Sequence, residues 1–390
     1  YRYVKTAYHG FRKLSREERR HAYHTRRLRP GTGRYHWVDT LYSLSEVAVY
    51  AAVVDHVDTH GGSLDYSQLF SDIRECADLS HQDGSILDAV LEDLPKYVKR
   101  DRELGLLLHK LRSAGKRLFL LTNSGPEYTQ AMMSFLLDDG LEEYPSWQNY
   151  FDYICTASKK PEFFTGKASF VDVETGAKTR QIERNRVYTA GNIADFQRSL
   201  GYAGDQVLYV GDHIYGDVLR AKKESTWRTA MIIQEMDDEL RVHREHAISF
   251  ERADSLQQAR GAVQDQLREQ QARLKRVERK LGEPDLGHEK ASWDAKRVLH
   301  RRSIDRLRAQ LKELDAERTE LNDALDQAFH PFWGSLFKAG GEVSSFGNQV
   351  EQYAGIYTSR ATNLIQYSPM HYFQSPRHRM PHEAGSAPGA

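Results

Sequence analysis

Between Leu104 and Ile233, short apolar runs alternate with longer amphipathic stretches, and the runs end in Thr, Asn, Asp or Gly. Arg117–Leu121 ends in Thr122-Asn123-Ser124-Gly125, Tyr150–Cys155 runs on to Lys159-Lys160-Pro161, and Val207–Val210 stops at Gly211-Asp212. Helical patterns follow at Tyr128–Leu137 and from Leu219, and Thr229–Ile233 reads as a further strand. Apolar runs of that length separated by helices are the signature of parallel strands joined by crossovers. The expected fold is therefore α/β, a doubly wound parallel sheet. In such sheets ligands bind in the crevice beyond the strand carboxyl ends. The polar residues that terminate these strands are the first candidates for a site.

Other parts of the chain read differently. Residues 1–103 look mainly helical, a cap region, with helices over Leu41–Asp58 and Phe70–His81. Arg74, Asp78 and His81 stand at i, i+4 and i+7, which places them on one helix face. By itself that spacing reads as a surface ion pair. The segment Arg12–Arg27 is basic and His-rich but is offset by Glu17 and Glu18, as on a solvated helix face. Residues 104–249 hold the α/β core, with Val171–Arg186 as a small hairpin insertion. From 250 to 328, leucines and valines step by three and four in two segments separated by Gly282-Glu-Pro-Asp285. That pattern predicts an antiparallel, coiled-coil-like helical hairpin, either a homo-oligomerisation arm or an extension packed on itself. Residues 329–374 form an aromatic, globular C-terminal segment, and 375–390 read as a disordered tail.

Composition narrows the function classes. Lys plus Arg and Asp plus Glu are both 55, so charge favours neither nucleic acid nor a membrane surface as partner. Two cysteines, Cys76 and Cys155, exclude a disulfide framework and fit a reducing, cytoplasmic setting. No apolar run approaches the roughly 20 residues of a membrane span.

Three strand ends offer polar groups to one crevice. Thr122 and Asn123 bring a hydroxyl, an amide and backbone N–H groups at a helix start, suited to phosphate oxygens. Lys159 and Lys160 bring cations for transition-state charge. Asp212 and Asp217 bring carboxylates for a hard cation such as Mg²⁺ and for holding a lysine. Taken singly, these are a helix cap, an exposed turn and a surface charge. Their order is the specific signal.

That order resembles the haloacid-dehalogenase-like (HAD-like) phosphohydrolases, and several runs narrow it to the cytosolic purine 5′-nucleotidase family. They are Asp39-Thr-Leu-Tyr-Ser-Leu44, Thr122-Asn-Ser, Trp147-Gln-Asn-Tyr-Phe-Asp152, Lys160-Pro-Glu-Phe-Phe164, Leu208-Tyr-Val-Gly-Asp-His-Ile-Tyr-Gly-Asp217, Trp227-Arg-Thr229, Gly334-Ser-Leu-Phe337 and Met380-Pro-His-Glu383. The resemblance implies a Mg²⁺-dependent release of phosphate from purine nucleoside 5′-monophosphates through an aspartyl-phosphate. It assigns Thr122 and Asn123 to the phosphate, Lys160 to its charge, Asp212 to Mg²⁺ and Asp217 to the support of both metal and Lys160. Tyr42, Arg74, Asp78, His81 and Ser124 would line the substrate pocket, with Tyr42 stacking on the purine.

The sequence also departs from the family. The nucleophile lies in an Asp-X-Asp-X-Thr motif on the first strand, and none occurs before residue 105; Asp55 and Asp58 have the wrong spacing. The nucleophile is expected upstream of Tyr1, which leaves a catalytically inactive assembly protein as the alternative. Leu87 stands where the family has a phosphate-contacting lysine, so a phosphatase for a sugar or lipid phosphate also remains open. The family's effector site is echoed only in part, by Trp37, Tyr215, Lys223 and Gln349, with Gln352 in place of an arginine.

Overall fold

The computed structural model describes residues 4, 6–23, 35–38, 40–138, 140–284, 287–340 and 342–373. His24, Arg26, Arg27, Asp39, Asp285, the Met380–Glu383 run and the 375–390 tail lie outside the described residues. The chain divides into two compact units, residues 237–344 and the remainder.

The larger unit is mixed α/β and its sheets contain parallel strands. One sheet has five strands, β1 (Phe119–Leu121), β2 (Tyr153–Thr156), β3 (Phe170–Asp172), β4 (Lys178–Thr179) and β5 (Val187–Ala190). Their spatial order is β1-β2-β5-β3-β4. β1, β2 and β5 run parallel, with Leu121 opposite Cys155 and Cys155 opposite Tyr188. β3 and β4 form an antiparallel hairpin against β5. A second, all-parallel sheet holds β6 (Leu208–Gly211), β7 (Arg228–Ile232) and β8 (Ile356–Thr358) in the order β8-β7-β6. β8 lies in the 329–374 segment and pairs in parallel with β7.

All four residues of β2 are buried, as expected of a parallel strand covered on both faces. β1 and β6 are different. Each has a neighbour on one side only, and no strand among the described residues pairs with the other edge. Phe119 and Leu120 are only half-buried, and Val210 is 39% exposed. One aromatic core nevertheless serves both sheets. The rings of Phe119 and Tyr209 lie nearly parallel with centroids 6.4 Å apart, and Phe164, Phe196 and Trp227 interlock around them.

Four helices frame the candidate residues: α1 (Tyr42–His60), α2 (Tyr66–Gln82), α3 (Ser85–Glu92) and α4 (Pro126–Leu137). α2 starts where the side chain of Asp65 accepts from the N–H groups of Ser67 and Gln68. α4 starts at Pro126, whose missing N–H costs nothing in a first turn.

The smaller unit is dominated by α5 (Ala247–Leu281) and α6 (Lys290–Phe329), 35 and 40 residues long. Leu256, Val263 and Val277 of α5 and Ile304, Leu307 and Leu325 of α6 are buried. Arg260 to Asp315 at 2.7 Å and Arg301 to Glu278 at 2.9 Å tie the two helices in antiparallel order. At the base Glu239 is buried and accepts from Ser335 Oγ and the Leu336 N–H.

Candidate active site

The site is built on the carboxyl ends of β1, β2 and β6. Beyond β1 the chain continues the ladder for one residue, since the Thr122 N–H donates to the Cys155 carbonyl at 2.9 Å. The loop then turns, and the Ser124 N–H donates to Thr122 Oγ1 at 3.1 Å. Beyond β2 the loop carrying Lys160 is held against this turn. Ala157 N–H donates to the Ser124 carbonyl and Ser158 N–H to the Thr122 carbonyl. Asn123 clasps the Lys160 backbone on both sides: Oδ1 accepts its N–H at 2.6 Å and Nδ2 donates to its carbonyl at 2.9 Å. Ala157 and Lys159 have φ of 43° and 55°, left-handed values that cost non-glycine residues on the order of 1 kcal/mol each. The Asn123 clasp and the loop ladder offset that cost. Asn123 is thus a scaffold residue for Lys160 as well as a strand-end amide.

Beyond β6 the backbone makes a π-helical turn, Ile214–Leu219, where an α-helix is expected only from Leu219. Val218 N–H donates to the His213 carbonyl, and His213 Nδ1 accepts the Gly216 N–H at 2.8 Å. This turn folds Asp217 back over the strand end. A Cβ at position 211 would stand 2.6 Å from the Asp217 Cβ, so Gly211 is required by the close approach of that carboxylate.

Lys160 and Asp217 meet there. Lys160 Nζ lies 2.7 Å from Asp217 Oδ1, with both side chains largely buried. The ammonium also donates to the Leu121 carbonyl at 3.2 Å and to the Tyr209 hydroxyl at 3.1 Å. Tyr209 in turn donates to Asp217 Oδ1 at 2.8 Å, and Asp217 Oδ2 accepts the His213 N–H. Burial, and then the neighbouring Asp217 carboxylate, push the Tyr209 phenol well above its ordinary value, so it stays a donor. Burial likewise raises the Cys155 thiol and keeps it inert.

Asp212 is exposed and makes no hydrogen bond or ion pair among the described residues. No group of three or more His, Cys, Asp or Glu side chains able to hold a metal gathers among the described residues. Among the described strand-end carboxylates, Asp212 is the open one, because Asp217 is engaged by Lys160 and Tyr209. One carboxylate fits Mg²⁺ only where other oxygen ligands join it.

The second group sits on α1 and α2. Tyr42 Oη is 3.4 Å from His81 Nδ1. Arg74 does not pair with Asp78, as the i, i+4 spacing suggests; its Nε lies 3.7 Å from Glu46 of α1, a buried carboxylate whose Oε2 has no hydrogen-bond partner. Burial, with Asp78 and Glu46 nearby, raises the Tyr42 phenol. Arg74 and Asp78 line a cleft of about 1350 Å³ whose walls include Trp37, Tyr50, Tyr66 and Phe70. Among the described residues no hydrogen bond or ion pair joins this group to the strand-end group. Leu87, on α3, is partly exposed.

Sequence reasoning missed Tyr209 and Glu46. A tyrosine in a buried strand three residues before Asp212, and a glutamate inside the apolar run of α1, were the signals available. No helix is long and apolar enough to cross a membrane among the described residues.

A model of the 5′ nucleotidase family matches residues 1–385. Similar proteins include a 5′-nucleotidase domain-containing protein of Dictyostelium discoideum, 27% identical over 389 residues, which are 96% of this chain and 59% of that protein. 5′-Nucleotidase domain-containing protein 2 of Rattus norvegicus is 26% identical over 354 residues, 88% of this chain and 56% of its own length. Its namesake in Homo sapiens is 27% identical over 354 residues, 88% of this chain and 60% of its own. The chain thus spans less than two thirds of the length of these relatives.

Proposed function

This chain belongs to the 5′ nucleotidase family, and on that premise we propose that it carries the phosphate-handling part of a Mg²⁺-dependent phosphohydrolase for purine nucleoside 5′-monophosphates. The observation that carries the proposal is the buried Lys160–Asp217 pair beyond the ends of β2 and β6. A buried ammonium held by a carboxylate beside a strand-end hydroxyl suits the charge that develops on a transferring phosphoryl group.

In this reading the Thr122 hydroxyl and the N–H groups at the start of α4 receive phosphate oxygens. Lys160 offsets their charge, and Asp217 keeps Lys160 in place. Asp212 is the chain's ligand for Mg²⁺, which when bound orients the phosphate and neutralises part of its charge. The purine lies against Tyr42, with Arg74, Asp78 and His81 reading its edge and Ser124 lining the approach. An arginine beside carboxylates discriminates bases because a wrong base leaves buried polar groups unpaired.

The reaction also requires a nucleophile, and these 390 residues contain no Asp-X-Asp pair at any position. This observation also favours a second reading, a non-catalytic homologue with an assembly role for the helical hairpin. One set of assays separates the two. Phosphate release from IMP, GMP, AMP and a sugar phosphate is measured for the chain alone and for the product of its complete coding sequence, with and without Mg²⁺. The proposal expects Mg²⁺-dependent release from purine monophosphates by the complete product, its loss in Lys160→Ala, and no turnover by the chain alone. A complete product that releases no phosphate from any of these supports the second reading, and preference for the sugar phosphate moves the substrate class.

A further inference from the structure

An ammonium has three N–H donors, and the structure uses all three of Lys160's. They go to the Leu121 carbonyl at 3.2 Å, the Tyr209 hydroxyl at 3.1 Å and Asp217 Oδ1 at 2.7 Å. As it stands, Lys160 has no donor left for an anion. Any role in binding one requires that a partner be exchanged.

The three partners are not equivalent. Asp217 gives a short, charge-assisted bond, the strongest kind. Tyr209 is 4% exposed, and its ring is packed by Phe119, Phe164 and Trp227, so its hydroxyl does not swing away. That hydroxyl also donates to the same Asp217 oxygen at 2.8 Å, which closes a three-membered ring of hydrogen bonds with Lys160. The Leu121 carbonyl is neutral and is the longest of the three. The peptide N–H that follows it, that of Thr122, points to β2, so the carbonyl itself faces the open edge of β1.

We infer that Tyr209 is a positioning residue for Lys160. With Asp217 it anchors two of the three ammonium protons, so that the Leu121 carbonyl is the single partner Lys160 exchanges for an anionic oxygen beside Thr122. The anion-exchange half rests on the phosphate-site reading above; the anchoring half does not. Two anchors fix the direction of the third N–H, which a Lys–Asp pair alone leaves free to rotate. Tyr209→Phe keeps the ring packing and removes only the anchor.

The test uses the full chain labelled with ¹⁵N-lysine, with the Lys160 ammonium signal identified by its loss in Lys160→Arg. Wild type is expected to show a slowly exchanging Lys160 ammonium. In Tyr209→Phe, loss of one hydrogen bond speeds that exchange about tenfold while the protein stays folded. Phe164→Leu, which loosens the ring packing and spares the hydroxyl, keeps the signal. Inorganic phosphate added with Mg²⁺ is expected to shift the Lys160 signal of wild type and to bind about tenfold more weakly to Tyr209→Phe. Unchanged Lys160 exchange in Tyr209→Phe overturns the inference, as does an equal change in Phe164→Leu, which would make the role one of packing. If wild type binds no phosphate yet Tyr209→Phe still releases Lys160, the anchoring stands and the phosphate-site reading fails.

Discussion

The two groups of candidate residues in the larger unit are built on opposite plans. At the strand ends, Lys160, Asp217, Tyr209 and Asn123 are tied to one another and to backbone by bonds of 2.6–3.3 Å, and the central pair is largely buried. On α1 and α2, Arg74 is half-exposed, Tyr42 meets His81 at 3.4 Å, and Glu46 Oε2, 3.7 Å from Arg74, accepts no hydrogen bond. The first arrangement is over-determined, which is what stabilising a developing charge demands, because the donors must not reorganise. The second is under-determined, an arrangement that the proposed function would complete with a ligand. On the proposed function, fixed chemistry would fall to the sheet and adjustable recognition to the helices.

Substitutions can break or sharpen that contrast. The largest effect is expected at Asp217. Asp217→Ala strands a buried ammonium and should cost about 3–5 kcal/mol in denaturant unfolding. The double variant Lys160→Met/Asp217→Leu should cost less, since it leaves no charge uncompensated. A double variant worse than Asp217→Ala would show that the pair gives net stability beyond mutual compensation. Gly211→Ala should come next, at about 1–3 kcal/mol, because its Cβ overlaps Asp217. The same variant should weaken phosphate binding if the position of Asp217 matters to the site.

The helix group should respond more gently. Arg74→Met leaves the Glu46 carboxylate alone and should cost about 1 kcal/mol, less than the lysine site because Arg74 is half solvated. In an active complete protein it should raise KM for purine monophosphates about tenfold with kcat little changed, the mark of lost uniform binding. Equal loss in kcat would place Arg74 in the chemistry instead. The smallest effect is expected for Tyr42→Phe, within about 0.5 kcal/mol of wild type, since its hydroxyl makes one long, exposed contact. A larger loss would make the helix group as rigid as the strand ends.

Much of this was legible along the chain. Strand β2 is apolar from Tyr153 to Cys155, and the strand-end residues Thr122, Asn123, Lys160, Asp212 and Asp217 were identifiable because a parallel strand must end in something that satisfies its backbone and starts a turn. The helix pattern of α5 and α6 was visible in its leucine spacing. Other features were not legible. Strand β8, Ile356–Thr358, is three residues long, and its identity comes from pairing with β7 more than 120 residues earlier. The π-helical turn at Ile214–Leu219 was hidden as well, since its signature is a His213 side chain accepting from Gly216 rather than an apolar period.

The sequence by itself determined which residue types stand at the ends of the apolar strands, because alternation and turn chemistry are local properties. It also determined that Gly211 precedes a carboxylate and that Glu46 interrupts an apolar helix. Only the tertiary structure decided how Lys160 is held toward Asp217, through the Asn123 clasp and the left-handed backbone at Lys159. It alone decided that Arg74 turns to Glu46 rather than Asp78, and that Tyr209 joins Lys160 to Asp217. Each of these depends on residues apart in sequence meeting in the fold, and Tyr209, Lys160 and Asp217 meet where water is largely excluded. There a hydrogen bond left unmade is costly, and that cost, rather than local propensity, selects the partner.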